Sequence, residues 1–132
     1  MTTLVVDANV VVQAALESAG LGRIAAYELI APPIMPSEAV STLHEMRFRR
    51  EISAELARIA LDRLAGFAYE VRRPPELAPV AWRIADSLGW AKTYDAEYVA
   101  LAQLVECRLV TLDARLARGA GRLVEVVGPA DL

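Results

Sequence analysis

Thr3-Leu4-Val5-Val6-Asp7-Ala8-Asn9 is a short apolar, β-branched run that ends on a carboxylate and passes straight into helical periodicity over Ala8 to Leu16. A strand followed at once by a helix is the unit of an α/β fold. The same grammar returns at Leu109-Val110-Thr111-Leu112-Asp113, again an apolar strand stopping on an aspartate. Two further acids sit where helices begin, Glu38 in Pro36-Ser37-Glu38-Ala39-Val40 and Asp95 in Thr93-Tyr94-Asp95-Ala96. In a parallel sheet the carboxyl ends of the strands and the starts of the following helices share one edge, so these four acids can meet after folding. Converging carboxylates repel unless a cation lies among them, and an all-oxygen set suits hard divalent ions such as Mg²⁺ or Mn²⁺. The chemistry indicated is metal-assisted phosphodiester cleavage.

Between these points strand and helix alternate. After a break at Gly20 and Gly22, the spacing predicts a second helix over Arg23 to Leu29, and Ile30 to Pro36 reads as extended, with room for a short strand. Pro36 opens the helix that carries Glu38. Ser53 caps the next helix, whose Leu56, Ile59, Ala60, Leu64 and Phe67 form a core or dimer face. Tyr69 to Val71 is a third strand, Pro74-Pro75 leads into a helix ended by Gly89, and Thr93 caps the helix of Asp95. Arg108 to Leu112 is the fourth strand, Arg115 to Ala117 a single helical turn, and Leu123 to Val127 the fifth strand. No repeat or linker interrupts the series, which predicts one domain over residues 1–132 with a mostly parallel sheet of four to five strands flanked by helices.

Composition sets the outer limits. The chain has 132 residues, a size suited to one continuous core, and 55% of them are hydrophobic, which excludes disorder and leaves apolar surface for a partner such as a second copy. Fourteen basic against seventeen acidic residues leave a net charge of −3, so no global positive field draws in a polyanion. Basic residues are clustered instead: Arg47, Arg49 and Arg50 follow Glu38, Arg72 and Arg73 are adjacent, and Arg115, Arg118 and Arg122 follow Asp113. The first of these is the favoured substrate contact, because arginine's planar fork matches phosphate. Cys107 is alone, which rules out an intrachain disulfide and fits a reducing cytoplasm. No apolar run reaches the length of a membrane span, and the start lacks a basic leader.

Taken together, Leu4 to Asn9, Pro36 to Leu43, Thr93 to Ala102 and Leu109 to Asp113 resemble, in order and over nearly the whole chain, the PIN-domain ribonucleases of VapC type, toxins of type II toxin–antitoxin systems. The resemblance implies a three-layer PIN-like fold. It further implies that Asp7, Glu38, Asp95 and Asp113 are catalytic and bind one or two Mg²⁺ or Mn²⁺ ions that activate water for in-line attack on RNA. Products would carry a 5′-phosphate and a 3′-hydroxyl, and the implied partner is a small antitoxin protein. Asn9 and Thr111 are then expected to orient these carboxylates, although Thr111 reads equally as an ordinary strand residue. Glu97 departs from the small or apolar residue usual at its position. Alternatives are a haloacid-dehalogenase-like phosphohydrolase, which would need a second aspartate where Asn9 stands, and a non-catalytic PIN-like interaction module. His44 has no companion to complete a zinc set. Glu45 shares the Glu38 helix face and reads as solvated. Trp82 is expected to pack in the core, leaving Trp90 as the exposed indole that could stack on RNA.

Overall fold

The computed structural model describes residues 1–132. Five strands form one parallel sheet in the order β3-β2-β1-β4-β5, with β1 at Thr3–Val6, β2 at Glu28–Ala31, β3 at Glu70–Val71, β4 at Arg108–Val110 and β5 at Val126–Val127. Six helices flank it: α1 Ala8–Leu16, α2 Met35–Phe48, α3 Ala54–Gly66, α4 Leu77–Leu88, α5 Tyr94–Val105 and α6 Ala114–Ala120. The chain moves outward from β1 to β3 and then reverses to β4 and β5. Since parallel crossovers are right-handed, that reversal puts α1, α2 and α3 on one face and α4, α5 and α6 on the other. Helix packing agrees, α1 lying against α2 and α3, and α4 against α5.

The central strands are nearly all apolar because both faces are covered. Leu4, Val5, Val6, Ile30, Leu109 and Val110 have no accessible surface, as expected of a buried parallel sheet. Each such side chain contributes on the order of 2 kcal/mol through burial. Helix ends follow local chemistry. The Ser53 hydroxyl accepts from Leu56 N–H at 3.0 Å to start α3. Gly89 ends α4 with φ +70°, a left-handed conformation that costs glycine nothing.

Several local expectations are corrected. Arg23 to Leu29 is not a helix: a 3₁₀ turn covers Gly22–Ala26, and Glu28 and Leu29 already belong to β2. The register against β1, with Leu29 opposite Leu4, outweighs local helical periodicity. Strand β4 stops at Val110, β5 is confined to Val126–Val127, and α6 is longer than the single turn expected. Thr93 occupies the N-cap of α5, but its side chain caps nothing, because its backbone is already in the helical region. Trp82 is 66% exposed, whereas Trp90 is partly buried against the core. The expectation for the two indoles is therefore reversed. Trp82 lies beside the apolar stripe of α4 and not on it, while the loop holding Trp90 folds back onto α6.

Candidate active site

The strand order reverses between β1 and β4, and in open parallel sheets the crevice outside such a switch point is where ligands bind. Asp7 directly follows β1 and Asp113 lies just beyond β4. Both are helix N-caps. Asp7 Oδ1 accepts from Ala8 N–H at 2.7 Å, and Asp113 Oδ1 accepts from Arg115 and Leu116 N–H at 2.9 and 3.2 Å. Glu38 is in the first turn of α2 and Asp95 in the first turn of α5. Capping alone would explain any one of them. It does not explain their mutual proximity.

Asp7 is buried, with 7% of its surface accessible. Burial pushes its carboxyl from 3.8 up to about 6; hydrogen bonds from Thr111 and Ala8 oppose the rise, while the charges of Asp95 and Glu38 add to it. Glu38 is raised by burial, relieved by Tyr98 and raised again by Asp95. Asp95 is raised by burial and by Asp113, with Arg115 pulling the other way. Asp95 is thus the hub through which all four acids feel one another. Their side chains do not, however, close into a ligand shell, since no three acidic, histidine or cysteine groups stand close enough to grip one ion together. Asp7, Glu38 and Asp113 are each held by a partner of their own, and like charges with nothing between them repel.

Thr111 is the pin of the assembly. It lies one residue beyond β4 and is buried. Its hydroxyl donates to Asp7 Oδ2 at 2.7 Å and accepts from Asp113 N–H at 3.0 Å, with Asn9 Nδ2 at 3.5 Å. Asn9 Oδ1 accepts from Leu112 N–H at 3.1 Å. Asn9 and Thr111 therefore lock the end of β1 to the loop after β4, and Thr111 with Ala8 N–H fixes the Asp7 carboxylate through both oxygens. Tyr98, assigned no role from the sequence, is a further residue of the site. It is fully buried, and its hydroxyl donates to Glu38 Oε1 at 2.6 Å. One signal was available: a single hydroxyl within an otherwise apolar stripe, one turn after Asp95 on the same helix.

Glu38 and Asp95 line a cleft of about 440 Å³ with Trp90, Lys92, Tyr94 and Arg115. A second cleft of about 500 Å³ is lined by Arg73, Trp82, Thr93 and Glu97 among others. Glu97 is raised by burial and, to a lesser degree, by Glu38, while Arg73 opposes the rise. Arg47, Arg49 and Arg50 are exposed at the far end of α2. The nine residues from Glu38 to Arg47 correspond to about 14 Å of helix rise, and Arg49 faces Glu45 at 3.8 Å. Sequence nearness to Glu38 did not become nearness in space. His44 is exposed, and Cys107 is a half-buried free thiol whose pKa burial raises.

The donor chemistry fits a hard divalent cation. Four carboxylates supply oxygen alone, and their charges oppose one another with a single arginine in partial relief.

Comparison with known proteins agrees with this architecture. The sequence profile of the PIN domain matches residues 4–122. Ribonuclease VapC1 of Mycobacterium tuberculosis is 35% identical over 134 aligned residues, spanning 96% of this chain and 97% of that protein. VapC ribonuclease Mb0985 of Mycobacterium bovis is 40% identical over 119, spanning 86% and 88%. The crystal structure of PAE2754 from Pyrobaculum aerophilum superposes with a TM-score of 0.71 at 22% identity, covering 98% of this chain and 92% of that one, a likeness of fold.

Proposed function

This chain belongs to the PIN-domain family, and on that premise we propose that it is a metal-dependent endoribonuclease, the toxin of a VapBC-type toxin–antitoxin module. Residues 1–132 are read as a single PIN domain. The observation that carries the proposal is the buried Asp7 carboxylate, pinned by Ala8 N–H and Thr111 and electrostatically coupled to Glu38 and Asp95. A buried acid surrounded by other acids is a poor structural choice and a good cation trap. Family membership displaces the haloacid-dehalogenase alternative, and the complete acid set disfavours a silent interaction module.

Asp7, Glu38, Asp95 and Asp113 would hold Mg²⁺ or Mn²⁺. When bound, the cation supplies Lewis-acid activation of water and neutralises charge on the leaving oxygen. The protein's own part is positioning. Thr111 and Ala8 N–H set the Asp7 carboxylate, Tyr98 sets Glu38, and Asn9 holds the loop that presents Asp113. Arg47, Arg49 and Arg50 would touch RNA well outside the cleft. Exposed Val40, Phe48, Leu61 and Trp82 supply apolar surface for an antitoxin and for a homodimer. No helix is long and apolar enough to cross a membrane, and the cytoplasm is the proposed location.

The test is incubation of purified protein with total RNA in Mg²⁺, Mn²⁺ or chelator, followed by mapping of the cut ends. Cleavage that requires the metal, leaves 5′-phosphate and 3′-hydroxyl ends, and disappears in Asp7→Asn and Asp95→Asn is expected. Undiminished cutting by both variants would remove the assignment.

A further inference from the structure

The cleft beside Glu38 and Asp95 carries a feature that holding a cation does not require. Lys92, the only lysine in the chain, and Arg115 both line it, and both are exposed. Neither forms a salt bridge, although acids share the same walls; the ion pairs of the protein are Arg49 with Glu45 and Arg72 with Glu28 and Glu70. Tyr94 lines the same cleft and is 48% exposed. Trp90 is held against α6, where a Cβ on Gly119 would come within 2.8 Å of its ring, so that side of the cleft is a fixed wall.

In a chain of net charge −3, two exposed cations in one cleft, neither of them in a salt bridge and only Arg115 offset by the charge of Asp95, are a local attraction for a polyanion. Their location, in the cleft of Glu38 and Asp95 and not at the far end of α2, means that the group they hold lies within the cleft itself. We propose that Lys92 and Arg115 grip a phosphate of an unpaired RNA strand next to the one being cut, with its base stacked on Tyr94. Resting on the nuclease reading above, the inference moves the main RNA grip from the arginines at the end of α2 to this pair. An ammonium and a guanidinium in one cleft with an exposed aromatic residue favour single-stranded substrate, because a base already paired and stacked cannot lie on the tyrosine. The grip takes any sequence, since phosphates and ring faces are common to all nucleotides.

The experiment measures equilibrium binding of a fluorescently labelled single-stranded oligoribonucleotide to chelator-treated protein across a salt series, alongside cleavage kinetics with metal. In Lys92→Ala/Arg115→Ala the dissociation constant and KM should rise about tenfold or more, and the slope of log affinity against log salt should fall by ~0.7 for each phosphate no longer neutralised. Tyr94→Ala should weaken binding at least fivefold with that slope unchanged, and Tyr94→Phe should restore it. Arg58→Ala, on exposed α3 surface outside the cleft, controls for net charge. Wild-type affinity and salt slope in the double variant would overturn the proposal, as would failure of the wild type to bind, or tighter binding of duplex than single strand. If binding depends on the pair but no RNA is cut, the nuclease reading falls and the phosphate site stands.

Discussion

At the scale of the residue, Asp7 carries a conflict between stability and function. Its folded carboxyl is raised from 3.8 to about 6, and at about 1.4 kcal/mol per pKa unit an ionised Asp7 costs the metal-free fold about 3 kcal/mol. Because the folded pKa is the higher one, the native state binds the extra proton between these values. The penalty is complete above pH 6, shrinks as pH falls towards 3.8 and vanishes below it. Metal-free protein is therefore expected to melt higher at pH 5 than at pH 7.5, and Asp7→Asn to melt above wild type at pH 7.5 while losing RNA cleavage. Calorimetric scans at the two pH values check the sign; equal or opposite shifts in wild type would contradict it. Tyr98→Phe keeps the ring in the core but frees Glu38 Oε1. The expected result is a loss of about tenfold in kcat with about 1 kcal/mol of stability, and unchanged kcat would show that Tyr98 only packs.

The elements were largely legible because their ends are written in local chemistry. Ser53, Pro36 and Gly89 mark helix boundaries that tertiary packing then respects. What periodicity could not supply was competition from the sheet: Glu28 and Leu29 have helical spacing, yet pairing beside β1 claims them. Nor could it separate Trp82 from Trp90, since one position along a helix turns a side chain about 100° from core to solvent. Helix ends can be tested one at a time. Ser53→Ala should lower stability by about 1 kcal/mol in chemical denaturation, with RNA cleavage unaffected. Glu106, which ends α5 at φ +60°, should give a more stable protein as Glu106→Gly, by roughly 0.5–1 kcal/mol; a lower stability would mean that its side-chain packing outweighs backbone strain.

At the scale of the molecule, the parallel order β3-β2-β1-β4-β5 brings acids distant in sequence to one place. The positions of Asp7, Glu38, Asp95 and Asp113 could be read from where strands stop and helices start. Of the residues that hold them, Asn9 and Thr111 could be named from the family resemblance and Tyr98 could not. Thr111 reaches Asp7 across 104 positions and Tyr98 reaches Glu38 across 60, and such pairings exist only once β1, β4 and α5 are packed. Lys92 and Arg115, by contrast, already stand beside Asp95 and Asp113 in the sequence, and packing brings both into one cleft. The proposed activity rests on this assembly capturing a divalent cation, without which the acids only repel one another. Calorimetric titration of metal-free protein with Mn²⁺ at pH 7.5 is the direct measurement. Saturable binding in wild type, lost or at least tenfold weaker in both Asp7→Asn and Asp95→Asn, is the predicted result. Equal binding by wild type and both variants, or none by any of them, would contradict it.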